Sequence, residues 1–424
     1  MFRLFKVSAV LVVLVAFAGP AYAESPDTKF YSNQTPYGNP ATTEIKAPPA
    51  GYEMLFIETL SRHGSRSNTS DAAEKRALAV WNTAKSKGGL TTLGKSLSSD
   101  ITWFQKAEKA VGYGNLSPVG KTELAGFGRR TADNYKPFLE KAKADGDSIQ
   151  FQTSSVFRTL QSYTEMYKGL NAEVPGIPFT RTVQPFDITS GSTVSGRTLI
   201  GKVKASASVR ASAIHVLRKI YTAKYVGTLS DPVAKAMDIY LLYCTAAMMK
   251  GMTAINFEKY VSLADAKQLG YMKDAENFYR FGPGVKYQDN SYIKSKFVLT
   301  DFFAKLDARI AGGKTAAVFR HGHGETTMPF AALIAARGSE QLQAKYTYAY
   351  DNNPWRGYIA GRPAGNLEWV AYRNASNNVI VTMRYNEEPI QFRTQCTPTE
   401  PGGYFYTVAT LKSCLPITNP HAAS

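Results

Sequence analysis

The chain has 424 residues and a formal net charge of +17, a balance that favours anionic partners such as nucleic acid, acidic surfaces or highly phosphorylated small molecules. Its charges are scattered, with no run of five or more of one sign, which argues against a basic tail that wraps nucleic acid. Three cysteines allow at most one disulfide and an odd thiol, and no Cys/His cluster has the spacing of a structural zinc site.

Arg3 and Lys6 form a basic n-region, Val7 to Phe17 an apolar stretch too short to span a bilayer, and Ala21-Tyr22-Ala23 a small-x-small cleavage site. Residues 1–23 are therefore expected to be a signal peptide, with a mature chain that begins at Glu24 and is exported, periplasmic or secreted. No later run of about eighteen apolar residues follows, so no membrane span is expected. The remaining length suits one large or two interlocked domains. Residues 24–50, rich in Ser, Asn, Thr and Pro, read as a surface segment before the first strand.

Residues 52–69 (YEMLFIETLSRHGSRSNT) organise the chain. Met54, Leu55, Phe56 and Ile57 read as a buried strand that feeds a turn carrying Arg62, His63, Gly64, Ser65 and Arg66. Guanidinium is permanently cationic and its planar fork of donors matches phosphate oxygens. An imidazole between two such groups is suited to attack a phosphorus atom whose oxygens they hold. The pentapeptide alone also fits a solvated loop; the rest of the chain decides.

The composition predicts a helix over 71–87 and another over 121–143, broken or kinked at Pro137. IQFQTSS (149–155) reads as a second buried strand and 157–170 as a helix at its end, the rhythm of an α/β sheet. From about 181 to 294 no β pattern is evident, and helices are expected over 208–226 and 231–251, the latter opened by Asp231 and Pro232. This reads as an α-helical cap inserted into a discontinuous core of 24–180 and 295–424. TAAVF (315–319) returns to a buried strand, followed by Arg320-His321-Gly322-His323-Gly324-Glu325 and a helix with Pro329 in its first turn. NLEWVAYR and NVIVTMRYN around Asn374–Asn378 read as an antiparallel hairpin. Cys396 and Cys414 are the expected disulfide pair, and Cys244, in an apolar helical run, an inert buried thiol. The fold expected is thus α/β: a mostly parallel sheet sandwiched by helices, with an inserted helical cap and a C-terminal β-hairpin.

Three strand-to-helix junctions carry the chemistry: Arg62, His63 and Arg66; Arg158; and His323 with Glu325. Loops at the carboxyl ends of strands in an open parallel sheet converge on one crevice, and helix N-termini there add donors for an anion. The fitting mechanism is covalent phosphoryl transfer with His63 as nucleophile. Arg62, Arg66, Arg158 and a protonated His323 would neutralise the phosphoryl oxygens. Glu325 would protonate the departing alkoxide and then deprotonate the hydrolytic water.

In these motifs the chain resembles the clade-2 histidine phosphatases (histidine acid phosphatases and phytases), and within them the multiple inositol polyphosphate phosphatases, whose proton donor is the Glu of a His-Ala-Glu motif. His323-Gly324-Glu325-Thr326 with Pro329 is similar to that motif, and Ser154 to Ser162 resembles the segment carrying a third phosphate arginine. Asn366-Leu367-Glu368 and Asn386-Glu387-Glu388-Pro389 resemble the C-terminal strand motifs. The resemblance implies an α/β core with a helical cap, no metal or other cofactor, and phytate, a small polyanion, as substrate. It also implies that Thr69 contacts substrate. Ser67-Asn68 departs from the Tyr-Pro or x-Pro usual after the second arginine, and Gly324 stands where relatives have Ala.

Other readings stand beside these. His321-Gly322-His323 has a metal-ligand spacing but lacks evident partners, and His321 reads as a structural or rim residue because only the first Arg-His-Gly is followed by a nearby arginine. Arg129 and Arg130 read as a solvated helix face, His215 as packed or superficial, and His421 as idle. Arg197, Lys202 and Lys204 of the cap either touch substrate phosphates or form an exposed basic loop. The functions in contention are an inositol polyphosphate phosphatase, a broad-specificity acid phosphatase, and an inactive polyphosphate-binding protein.

Overall fold

The structure, a computed structural model, describes residues 30–38, 40, 44–186 and 191–416. The expected signal peptide and His421 lie outside the described residues. In chain order the elements are β1 (Tyr52–Arg62), α1 (Ala72–Ser86), α2 (Leu97–Val111), α3 (Pro118–Ala144), β2 (Ser148–Thr153), α4 (Phe157–Glu173), β3 (Phe179–Val183), α5 (Val194–Lys204), α6 (Ala207–Ile220), α7 (Ala223–Val226), α8 (Pro232–Met248) and α9 (Leu263–Arg280). There follow α10 (Lys296–Ile310), β4 (Thr315–Gly322), α11 (Gly324–Leu333), α12 (Gly357–Ala360), β5 (Asn366–Asn374), β6 (Val379–Tyr385), β7 (Glu388–Ile390), β8 (Tyr406–Thr407) and α13 (Val408–Cys414).

One sheet runs β3-β2-β4-β1-β5-β6-β7, with β8 on β6. The first four strands are mutually parallel, and β5 to β7 turn antiparallel as the expected hairpin and its continuation. Strand periodicity sorts the core into two layers. Phe56 and Leu60 of β1, Val318 of β4, and Leu367, Trp369 and Ala371 of β5 face a cluster with α10 and α11. Ile57, Ala317, Phe319, Val370 and Tyr372 face the opposite cluster with α3 and α4. Burial on both faces explains why β1 and β4 read as near-continuous apolar runs.

Pro137 lies inside α3, and the chain leaves helical angles at Tyr135 (φ −126°), a kink where the ring removes the donor to the Asp133 carbonyl. A third cluster fills the cap around α8, which is apolar nearly all round and is opened by the Asp231 side chain accepting from the Ala234 N–H at 3.0 Å.

Several expectations are corrected. The cap cluster takes in Ala77 and Trp81 of α1, Ile101 and Phe104 of α2, and Leu342, Tyr348 and Trp355 from the stretch after α11, so its packing draws on chain outside 181–294 on both sides. β3 enters that interval as a sheet-edge strand; its residues are all exposed, so no burial alternation marks it. Helices α2, α5, α9, α10, α12 and α13 have no counterpart in the expected elements. Pro329 sits a turn deeper in α11 than expected, leaving the Glu325 carbonyl without its helical donor. Residues 30–38 are not superficial: Ser32, Gln34 and Tyr37 are buried. Cys396 and Cys414 form a disulfide and Cys244 is buried and free.

Candidate active site

The turn after β1 is fixed by its backbone and by its packing. The His63 N–H donates to the Gly322 carbonyl of β4 (3.0 Å), and the His63 carbonyl accepts from Ala364 (3.1 Å). Behind it, the N-terminus of α3 presses so close that a Cβ on Gly64 would sit 2.6 Å from the Gly120 carbonyl and from Leu124 Cδ2. Only glycine fits there. Glu123 of α3, buried, accepts from the Ser65 N–H (2.7 Å) and from the Ser65 hydroxyl (2.8 Å).

His63 is buried, and its Nδ1 lies 2.9 Å from the Gly64 carbonyl. A carbonyl only accepts, so Nδ1 carries the proton and Nε2 keeps its lone pair. Burial, then the charges of Arg62, Arg66, Arg158 and His323, pushes the His63 pKa well below its ordinary value. The ring is therefore neutral and nucleophilic at neutral pH.

Arg62 Nη1 donates to the backbone carbonyls of Asn33 and Gly361, while its buried Nε–H has no hydrogen-bond partner. Arg66 Nη1 donates to the Ser67 carbonyl (2.6 Å) and its Nε–H is likewise unmatched. Burial lowers Arg62 to about 10, with the charge of Arg158 adding to it, and Arg66 to about 9, with the charges of Arg62 and Arg158 adding to it. Crowded, half-satisfied guanidiniums are electrostatically stabilised by an anion that takes up the open donors.

The β2–α4 and β4–α11 junctions meet the first. Arg158, in the first turn of α4, donates through Nη2 to His323 Nδ1 at 2.9 Å, and His323 Nε2 lies 2.8 Å from the Ser154 hydroxyl. Arginine only donates, so His323 accepts at Nδ1 and holds its proton on Nε2 toward Ser154. The Arg158 contact needs an accepting Nδ1, whereas a protonated His323 gives up that contact and adds its charge to the cluster. The rings of His63 and His323 stand edge to face, 5.6 Å apart. Glu325, second residue of α11, is exposed and lies close enough to Arg62, His323 and Arg66 to feel their charge. Burial raises its carboxyl, but Arg62, its own N–H, His323 and Arg66 more than offset this and hold it below the ordinary carboxylate range.

Thr69 is exposed at the end of the loop. Arg197 donates to the Ser192 carbonyl (2.7 Å), Lys202 is exposed, and Lys204 pairs with Asp231 (2.6 Å); all three sit on helix α5 and not on a loop. Arg130, read as solvated, forms a bidentate pair with buried Glu387, both contacts at 2.7 Å. His321 is wholly buried and contacts Ser61 Oγ at 2.9 Å, so it is structural and not at a rim. Among the described residues, no three His, Cys, Asp or Glu are grouped to hold a metal ion. No helix among them is long and apolar enough to cross a membrane.

Sequence reasoning missed Ser65, Glu123, Ser154 and Asn33. Ser154 stood in a quoted motif, and its place at a strand end facing the Arg158 junction was the available signal. The role of Asn33 rests on a backbone carbonyl and leaves no trace in residue identity.

A family model described as histidine phosphatase superfamily (branch 2) matches residues 53–297, more than half of the chain. No curated protein sequence matches it. Among solved structures, the Bifidobacterium longum multiple inositol polyphosphate phosphatase, in complex with inositol hexasulfate, superposes with a TM-score of 0.85 at 25% identity over 91% of this chain and 97% of that one. A phytase from D. castellii shares the fold at TM-score 0.67 and 15% identity, over 91% of this chain and 84% of its own. Hafnia alvei phytase, in complex with myo-inositol hexakis sulphate, does so at 0.54 and 13%, over 86% and 97%.

Proposed function

The chain belongs to branch 2 of the histidine phosphatase superfamily, and from that premise we propose that it hydrolyses phosphomonoesters of inositol polyphosphates, phytate among them, through a phosphohistidine on His63. The observation that carries this reading is the buried neutral His63, its Nδ1–H committed to the Gly64 carbonyl and its Nε2 lone pair amid the charges of Arg62, Arg66 and Arg158. The likeness to an enzyme solved with inositol hexasulfate supports the substrate class, as does a formal charge of +17.

His63 Nε2 attacks phosphorus as the P–O bond to the inositol oxygen breaks, and the arginines hold the non-bridging oxygens. The leaving oxygen takes its proton from Glu325. That carboxyl is ionised in the free protein, and the phosphate dianion offsets the arginines that keep it so, which lets it bind a proton when substrate arrives. Glu325 then deprotonates a water that attacks the phosphohistidine, returning the imidazole and releasing phosphate. His323 accepts from Arg158 in the free protein; as Arg158 turns to the phosphate, His323 Nδ1 is opened to a proton. Export is part of the same reading, supported by the Cys396–Cys414 disulfide, and N-terminal sequencing of the mature chain at Glu24 tests it.

Phosphate release from phytate and from an aryl phosphate, with acid quench to trap labelled phosphohistidine, tests the mechanism. His63→Ala abolishes label and release. Glu325→Gln slows phytate by about 10²–10³-fold but the aryl ester, whose leaving group needs no proton, by less than about tenfold. Activity on the aryl ester alone would keep the chemistry and discard the substrate.

A further inference from the structure

Residues 30–38 run between core and cap, and their contacts converge on the phosphate loop. The Asn33 carbonyl accepts from Arg62 Nη1, at the start of that loop. The Tyr37 N–H donates to Glu123 Oε1 (2.7 Å), the carboxylate that holds both donors of Ser65 in the middle of the loop. Gln34 Nε2 donates to Thr245 Oγ1 (3.3 Å), which lies 2.9 Å from Asn68 Oδ1 at the loop's end. Asn68 in turn donates its N–H to Glu108 (2.8 Å) and its side-chain amide to Glu74 (3.1 Å). Three separate routes thus reach residues 62, 65 and 68 from a stretch of five residues.

The same stretch is tied to the cap. The Ser32 hydroxyl donates to Asp274, the Tyr240 hydroxyl donates to the Phe30 carbonyl, and the Tyr31 and Tyr243 rings lie 4.8 Å apart. Phe30 and Ser32 hold left-handed angles, φ 53° and 52°, which non-glycine residues keep only where surrounding contacts impose them.

We propose that residues 32–37 act as a positioning strap for the phosphate loop, aiming Arg62 and holding residues 62–68 in the geometry that the transition state needs. Fixing one edge of the guanidinium on backbone carbonyls orients its other donors without a rotamer search. The Asn68 link gives the Ser67-Asn68 sequence a role: the asparagine side chain donates to Glu74 of α1 and accepts from Thr245 of α8, which carries the strap's contact with Gln34, and proline can do neither. This inference rests on reading Arg62, His63 and Arg66 as the phosphate site.

The test cuts the Gln34–Thr245–Asn68 route without touching a residue of the phosphate site. Thr245→Val removes the hydroxyl and keeps the shape; Thr245→Ser keeps the hydroxyl. With phytate as substrate, Thr245→Val and Gln34→Ala each lower kcat by about tenfold, with KM changed less than about threefold. Thr245→Ser restores the rate, and the double variant is no worse than either single one, because both lie on one route. Unchanged kcat in the folded protein, with only a lower melting temperature, would make the strap a mere staple and overturn the inference. If the wild-type chain releases no phosphate, the proposed function fails, and calorimetric binding of inorganic phosphate then tests the strap alone. Weaker binding in Thr245→Val supports it; equal binding in the two proteins overturns it.

Discussion

The chain carries Arg-His-Gly twice, on two strands that lie side by side and parallel, and the two copies do opposite things. In the pairing of β1 with β4, Leu60 stands opposite Arg320, Ser61 opposite His321, and Arg62 opposite Gly322. The second copy is thus two residues further back from the strand end. Two residues restore the same face, so both arginines point to one side of the sheet and both histidines toward the other. Depth makes the difference. Arg320 lies inside the layer, paired with Asp301 at 2.7 Å and Glu58 at 3.1 Å, and stacked 4.0 Å from the Phe302 ring centroid. Arg62 lies at the rim, held by carbonyls and with its Nε–H unmatched. One charge is answered by the Asp301 carboxylate, with Glu58 beside it; the other is left for a ligand. A tripeptide is not a site until the strand's end places it.

The sharpest way to break this contrast is at Arg62. Arg62→Ala should lower kcat for phytate by about 10²–10³-fold with the melting temperature nearly unchanged. Arg62→Lys should recover little of that, because a point charge cannot span the two carbonyls and the phosphate at once. If Arg62→Ala instead melted the protein and spared the rate, the two arginines would be alike.

Arg320 should respond in the opposite currency. Arg320→Ala strands the Asp301 carboxylate beside a buried void and is expected to cost about 3–5 kcal/mol, read by denaturant unfolding, with kcat of the folded fraction held. Burial pushes Glu58 up to about 8 in spite of Arg320. Its folded value is therefore raised above the ordinary 4.5, so the folded state binds the extra proton between those limits. The stability it contributes is fully present below about 4.5 and is lost as pH rises through about 8. Glu58→Gln should flatten that decline in a pH series of unfolding midpoints; a decline of the same slope in the variant would place the titration elsewhere.

The contrast also sets the limits of reading this fold from sequence. The strands β1 and β4 are legible because burial on both faces leaves long apolar runs, β2 because Ile149 and Phe151 alternate with polar residues, and the helices that follow β2 and β4 because Arg, His and Glu stand at the junctions. That these junctions meet follows from parallel strands ending on one side of a sheet. β3 escaped because an edge strand with five exposed residues has no burial pattern. Arg130 read as surface because its partner, Glu387, is 257 residues away. The strap was hidden for a deeper reason: its tie to Arg62 is a backbone carbonyl, and the Ser, Asn and Pro of its sequence are also the residues of loops. Likewise Glu123, one acid among several in α3, is marked only by the loop packed on it.

The smallest effect is expected at the second histidine. His321 touches Ser61 Oγ through Nδ1 at 2.9 Å and stacks on Phe151 with ring centroids 6.2 Å apart. Burial alone lowers its pKa to about 3, so it is neutral throughout the working range and carries no charge to lose. In His321→Phe the ring keeps its stack, the Ser61 hydroxyl keeps its bond to the Arg320 carbonyl (3.1 Å), and the buried Nε2, which lacks a partner, disappears. Loss of one hydrogen bond set against removal of one unmatched polar atom leaves a cost of about 1 kcal/mol or less. Thermal unfolding should move by about 2 °C, while phosphate release and the phosphohistidine label stay at the wild-type level. A loss of label would mean that the deeper imidazole takes part in phosphoryl transfer, and depth in the sheet would no longer separate the two copies.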